Sequence, residues 1–149
     1  MKHAIITILL CALATGAQAQ EAKTFLKPDG LLNSPGYSQA VEITKGKLVI
    51  LAGQMPVDDK GQLVGGGDFK AQATRAFQNI VLALKAAGLD TSDYFIVGDL
   101  QKNLPLLRQA LPPFFKPGAP RPAGTVAGVT GLALEGQMIE IDVTAVSRD

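Results

Sequence analysis

The residues best suited to binding an anion lie between Pro117 and Leu132, in the stretch PGAPRPAGTVAGVTGL. Arg121 can hold a carboxylate through two parallel hydrogen bonds, because its guanidinium group presents a planar fork of donors. Gly124 lacks a Cβ, so a ligand or another backbone segment can approach it closely. Together with Thr125, these residues make the stretch a candidate cleft-lining strand.

Three further residues are candidates for site chemistry. Glu140 suits acid–base work on a bound water, and the alternative is an interface carboxylate that accepts hydrogen bonds from backbone N–H groups. Tyr37 is either a pocket wall with a polar tip or an aromatic residue packed in a turn. Gln54 either hydrogen-bonds a ligand or closes a turn.

The first 19 residues are typical of a secretory signal peptide. A short basic start is followed by an apolar segment at 4–14 and by the small-residue cleavage pattern Ala17-Gln18-Ala19. We interpret Cys11 as part of the discarded apolar segment. The sequence therefore predicts a periplasmic or secreted protein with a signal peptide at 1–19, an N-terminal arm at 20–33 and a single domain at 34–149.

Cleavage at this position narrows the possible chemistry. It removes the single histidine, His3, and the single cysteine, Cys11. The remaining chain has no Cys–His or Ser–His nucleophile pair and no thiolate or imidazole for zinc, so we expect no metal site. The formal net charge falls from +1 to zero because Lys2 is lost, and the chain has no dense basic cluster. We therefore expect no nucleic-acid partner and, after cleavage, no membrane partner.

Periodicity predicts an alternation of strands and helices. A helix at 69–87 is the clearest element, with Asp68 as its N-cap and Gly88 just after its end. A second helix is predicted to be capped by Asn103, with an irregular turn at 114–115. The polar arm at 20–33 is predicted to be irregular. The predicted strands are 38–43, 48–52 (buried on both faces), a short one at 62–64, 94–100 and 138–146.

These elements favour an α+β fold in which two helices cover one face of a mixed β-sheet. Strict alternation in the last strand assigns Ile139, Ile141, Val143 and Ala145 to the face covered by the helices. The opposite face, with Glu140 on it, stays uncovered in a single chain. This predicts a symmetric homo-oligomer that buries that face.

Several short motifs, in their order and spacing, resemble those of the RidA (YjgF/YER057c/UK114) family over residues 34–146. The resemblance implies a chorismate-mutase-like fold and a homotrimer with three ligand clefts between subunits. The matching residues are Pro-Gly-Tyr-Ser-Gln-Ala at 35–40, Gly53-Gln54 with Pro56, Gln72 with Asn79-Ile80, Gly88, Phe114-Phe115, Pro122-Ala123 and Ile139-Glu140-Ile141.

The resemblance also implies a reaction. Active members hydrolyse reactive 2-imino acids to 2-keto acids and ammonia without a cofactor. An arginine in a Pro-Ala-Arg triplet pairs with the substrate carboxylate, and a glutamate on the last strand helps to position the attacking water. A tyrosine near the start and a serine before Gly-Gln complete the pocket.

Carried over by position, this pattern is only partly present. The tyrosine corresponds to Tyr37 and the glutamate to Glu140, whereas the serine position is Ala52 and the arginine position is Gly124. Without its cation, the pocket cannot neutralise a desolvated carboxylate at that position. Arg121 is a candidate substitute. However, three extended residues span about 10 Å and an odd offset points to the opposite face, so the alternative is a solvent-facing or interface arginine.

The sequence thus predicts an exported RidA-like protein with small-molecule-binding clefts between subunits and without the standard deaminase activity. The candidate ligand-binding residues are Tyr37, Ala52, Gln54, Arg121, Gly124 and Thr125, and Glu140 is the candidate catalytic residue. The alternative is an enamine or imine deaminase, or another hydrolase, that acts on an altered substrate through Glu140 and water. A ribonuclease is disfavoured because histidine and basic clusters are absent from residues 20–149.

Overall fold

The structure, a computed structural model, describes residues 23–89, 95–98 and 100–147. The predicted signal peptide at 1–19 lies outside the described residues, and so does Tyr94, the first residue of a predicted strand. Within the described ranges, none of the helices has the length and apolar character that a membrane crossing requires.

Short strands and two helices alternate along the described chain. A single 3-10 turn follows the second helix at Pro112–Phe114. In chain order, the elements are β1 (Lys23–Leu26), β2 (Ala40–Ile43), β3 (Leu48–Ile50), α1 (Phe69–Ala86), β4 (Phe95–Gly98), α2 (Leu100–Ala110), β5 (Val126–Ala127), β6 (Ile139–Asp142) and β7 (Thr144–Val146).

The strand pairings are mixed, as the sequence predicts. β4 lies between β5, which runs parallel to it, and β6, which runs antiparallel to it. β3 pairs antiparallel with β7, and the chain after β3 continues along β6, where the N–H of Gln54 donates to the carbonyl oxygen of Ile141 at 2.8 Å. β1 pairs antiparallel with β2.

Both helices pack on one face of this sheet arrangement, which confirms the predicted architecture. The alternate residues of the last two strands form the buried layer, since Ile139, Ile141 and Ala145 are 0% exposed. The apolar stripe of α1 and the inner side of α2 cover this layer, with Phe77, Ile80, Leu84, Leu107 and Ala110 buried among them.

Helix α1 begins and ends where the sequence predicts. The carboxylate of Asp68 accepts a hydrogen bond from the N–H of Ala71 at 3.1 Å, which satisfies one of the free donors of the first turn. After the helix, Gly88 adopts a φ of +71°, a left-handed conformation that glycine tolerates best.

The prediction that residues 48–52 are buried on both faces was wrong. Leu48 is 56% exposed and Ile50 is 72% exposed, whereas Val49 between them is half-buried. Both helices lie on the same side of the sheet, and no other described segment covers these two side chains. The continuous apolar run therefore has one face packed within the chain and one face open.

Four local predictions also need correction. The arm at 20–33 is not wholly irregular, because Lys23–Leu26 pairs with β2. Residues 62–64 form no strand, and Leu63 makes only an isolated bridge with Val57. Phe114 ends a 3-10 turn and does not lie on an irregular one.

The fourth correction concerns the second helix. It begins at Leu100, so Asn103 lies within it and is 6% exposed. Asparagine favours cap positions over helix interiors, so its residue type alone placed the first helical residue at Leu104, four residues too late.

Candidate functional site

A turn near the start of the domain is fastened to the segment that leads into β5. The N–H of Ser38 donates to the carbonyl oxygen of Pro122 at 2.9 Å, and the hydroxyl of Ser38 donates to the carbonyl oxygen of Arg121. Ser38 and Ala123 form an isolated parallel bridge. These bonds hold Tyr37 beside Arg121, although the two residues are far apart in sequence.

A cavity of about 640 Å³ opens between this junction and α2. Four of the sequence-predicted site residues line it: Tyr37, Arg121, Gly124 and Thr125. The structure therefore brings together Tyr37, the predicted substitute Arg121 and Gly124, which the sequence predicts to stand at the family's arginine position. A phenol, a hydroxyl and a guanidinium group can all donate hydrogen bonds to an anionic or carbonyl-bearing ligand.

Helix α2 contributes the apolar part of this cavity. Leu104, Leu107 and Leu111 line it, and Leu107 is 3% exposed. Arg108 also lines it, from an exposed position on the same helix. Arg108 was not among the sequence-predicted site residues. The sequence spacing could have identified it, however, because Arg108 lies four residues after Leu104 and therefore on the same helix face.

The charges around the cavity have one sign. The described residues that line it include two arginines, Arg108 and Arg121, and neither aspartate nor glutamate. Field lines from like charges concentrate in a concave, apolar-walled space, so this cavity attracts anions.

Arg121 is held against the aromatic part of the core. Its guanidinium carbon lies 4.9 Å from the centroid of the Phe115 ring, within the range of a cation–π contact. The Phe115 ring meets Phe77 edge-on at 6.5 Å, and Phe77 is 1% exposed. This chain of contacts orients a half-buried arginine at the cavity wall.

The other predicted site residues form a second group on the sheet. The carboxamide of Gln54 donates to the carbonyl oxygen of Ala52 at 2.8 Å, and the backbone of Gln54 pairs with Ile141. Both the side chain and the backbone of Gln54 are therefore engaged within the chain. Glu140, on β6, accepts a hydrogen bond from the carboxamide of Gln137 at 3.2 Å.

Glu140 packs closely against the glycine of the Gly-Gln pair. A Cβ placed on Gly53 would lie 2.1 Å from Oε1 of Glu140 and 3.0 Å from its Cδ. Gly53 is therefore required by the close approach of the carboxylate and not by its own backbone conformation. The half-buried Glu140 is confined between Gly53 and Gln137.

The two groups are separated across the sheet within one chain. Val97 on β4 pairs with Glu140 on one side and with Ala127 on the other. Two strand spacings put the backbones of Glu140 and Ala127 about 10 Å apart. Glu140 does not line the arginine-bearing cavity. Among the described residues, no group of three or more metal-ligating side chains could hold a metal ion.

Comparison with known proteins identifies the family. The sequence model of the family described as Endoribonuclease L-PSP, which includes the RidA and YjgF proteins, matches residues 31–147. The chain belongs to the RidA/YjgF family. Membership accounts for the order of elements, the mixed sheet and the two helices on one face.

Individual RidA/YjgF relatives agree with this assignment. The chain is 36% identical to Protein DfrA of Myxococcus xanthus over 118 residues, which cover 74% of this chain and 85% of that protein. It also resembles the solved structure of the Rid family protein YyfB from Yersinia pestis, with a TM-score of 0.76 and 30% identity over 85% of this chain and 99% of that one. The RidA structure from Psychrobacter gives a TM-score of 0.55 and 26% identity over 83% and 99% of the two chains.

Proposed function

We propose that the protein is an exported RidA/YjgF member that binds a small molecule and lacks the standard 2-imino acid deaminase activity. The observation that carries this proposal is Gly124 on the cavity wall. The resemblance assigns to this position the arginine that pairs with the substrate carboxylate. Without that cation, an imino acid would lose the charge partner that orients its carboxylate in active members.

The placement of Glu140 supports the same proposal. Water attack on an imine needs a group that positions and deprotonates the water within hydrogen-bond reach of the substrate carbon. Glu140 accepts a hydrogen bond from Gln137, packs against Gly53 and lies outside the cavity that contains Gly124. By the same resemblance, Ala52 stands where active members have the serine of the pocket, and alanine has no hydroxyl group.

The proposal includes a homotrimer in an exported location. The exposed side chains of Leu48 and Ile50 on the open sheet face support self-association. The basic start, apolar segment and small-residue cleavage pattern of residues 1–19 support export. Both parts follow from the sequence and from the exposed surface of one chain.

A deaminase assay tests the proposal. The processed protein is mixed with 2-iminopropanoate generated in the cuvette by an amino acid oxidase acting on alanine, and ammonia release is followed. We expect the rate to match spontaneous hydrolysis, because the carboxylate partner at position 124 is missing. An active family member, assayed in parallel, provides the positive control.

A double variant that reintroduces the family's arginine and serine is the second part of this test. Gly124→Arg combined with Ala52→Ser returns the two polar groups of the family's pocket, and we expect a rate above that of the parent protein. A parent rate equal to that of the active member would contradict the proposed loss of activity. A folded double variant without any gain would show that these two positions do not explain the loss.

A further inference from the structure

We propose that the cavity beside Gly124 selects an organic anion with an apolar body, and that Arg108 and Arg121 hold its charged group. This inference rests on the proposed small-molecule binding and specifies the ligand class. It also moves the anion contact from strand position 124 to two other elements, α2 and the segment before β5.

The charges that line the cavity favour an anionic ligand. Both arginines line the same space, and the described lining contains no acidic side chain. A neutral ligand would offer no charge partner to either guanidinium group. An anionic ligand compensates them, and carboxylate, sulfonate and phosphate groups all match the guanidinium fork.

The leucine side chains that line the cavity, together with its volume, favour a ligand with an apolar body. Leu104 and Leu107 on α2 and Leu111 just after it line the cavity, so part of its wall is hydrocarbon. A volume of about 640 Å³ exceeds the needs of a bare inorganic ion and lies in the range of small-molecule sites. The ligand therefore needs an apolar body, which gains from burial on the leucines while its charged end stays at the arginines.

The two arginines differ in how firmly the protein holds their side chains. Arg121 is half-buried and lies over the Phe115 ring, so little side-chain entropy is lost when it binds an anion. Arg108 also lines the cavity but is exposed on α2, so its side chain is less constrained. One fixed cation and one adaptable cation suit a charged group whose exact position varies with the size of the apolar body.

A second cavity gives an internal comparison. It lies against α1, has a volume of about 880 Å³ and is also lined by basic residues, among them Lys85. Its arginine, Arg75, donates from Nε to the carbonyl oxygen of Val57 at 2.8 Å and is thus engaged within the chain. A probe that binds an apolar basic surface without selectivity would respond to Lys85 as much as to Arg108.

The test uses two fluorescent probes that differ by one charged group. 8-Anilinonaphthalene-1-sulfonate carries a sulfonate, and N-phenyl-1-naphthylamine is the same aromatic body without it. Dissociation constants of both probes are measured for the processed protein and for Arg108→Gln and Arg121→Gln. Lys102→Gln, exposed on α2 outside the cavity, and Lys85→Gln at the second cavity are the matched charge controls.

We expect each arginine variant to weaken sulfonate binding about tenfold and to change binding of the neutral probe less than about twofold. The lysine variants should change neither by more than about twofold. Arg121→Lys, which keeps the charge but loses the fork, should give an intermediate loss for the sulfonate probe. Unchanged neutral-probe binding shows that the cavity is still folded.

Two results would overturn the inference. One is sulfonate binding that is unaffected by both arginine variants, and the other is a loss confined to Lys85→Gln. Gly124→Leu, which adds bulk to the cavity wall, distinguishes a failure of anion selection from a failure of small-molecule binding. If it blocks the neutral probe while the arginine variants have no effect, small-molecule binding stands and anion selection fails. If neither probe responds to it, both proposals fail.

Discussion

At the scale of single residues, Gly53 and Glu140 lie so close together that a side chain at position 53 would meet the carboxylate. The space for a side chain at position 53 is already taken by the carboxylate of Glu140. The backbone of Gly53 lies outside the left-handed region, so an alanine there would be strained only by this contact. The glycine and the glutamate are therefore coupled, and each restricts what the other position can hold.

Gly53→Ala should lower the free energy of unfolding by about 1–2 kcal/mol, because Glu140 must rotate away and lose its hydrogen bond with Gln137. Chemical denaturation followed by circular dichroism measures the change. In an E140A background the same substitution should cost less than about 0.5 kcal/mol, since the obstructing side chain is gone. In an E140Q background, which keeps the size, the cost should persist. Equal costs in all three backgrounds would refute the coupling.

At the scale of elements, Gln72 joins helix α1 to two loops. Its carboxamide donates to the carbonyl oxygens of Gly66 at 2.6 Å and Gly136 at 2.8 Å, and it accepts from the N–H of Met138 at 2.8 Å. The side chain is 0% exposed. It therefore fixes the start of the last strands, and with them Glu140, relative to the helix layer.

Gln72→Leu should destabilise the protein by about 1–3 kcal/mol, because it removes three hydrogen bonds that the buried carboxamide makes with the backbone of two loops. Urea denaturation gives the value. Gln78→Leu is the matched control, since Gln78 is exposed on the same helix, and it should change stability by less than about 0.5 kcal/mol. A loss at position 72 no larger than at position 78 would rule out this structural role.

At the scale of the whole molecule, one chain leaves an apolar sheet surface open. Leu48 and Ile50 project from the face opposite the helices, and Ile50 is 72% exposed. Exposed apolar residues on a sheet face favour association, whereas single apolar residues on a helix surface are ordinary. The proposed trimer would use this face.

If the proposed trimer uses this face, Ile50→Asp should convert it to monomers, because three carboxylates would have to be desolvated in the interface. Sedimentation velocity measures the assembly state. Leu82→Asp makes the same change at a residue that is 62% exposed on α1, on the helix side, and should leave the trimer intact. Dissociation by Leu82→Asp alone would place the interface on the helices.

Much of the fold could be read from periodicity. The alternation at 139–145 and the stripe of α1 each assign one side of an element to the core. The structure buries the same residues, except that Ala87, predicted at the end of the stripe, is exposed just after the helix. The site was harder to predict. Arg108 could have been found from its helical offset to Leu104, but its proximity to Tyr37 depends on how α2 packs near the Ser38–Pro122 bond.

The sequence by itself determined the family and the helix and strand layers, and it predicts that Gly124 and Ala52 occupy the family's arginine and serine positions. These follow from local residue patterns, which do not depend on packing. Only the tertiary structure decided which candidates share a cavity: it groups Arg121 with Tyr37, Gly124 and Thr125, adds Arg108, and places Glu140 elsewhere. The physical reason is that strand pairing and helix packing join residues distant in sequence, and neither can be derived from spacing along the chain.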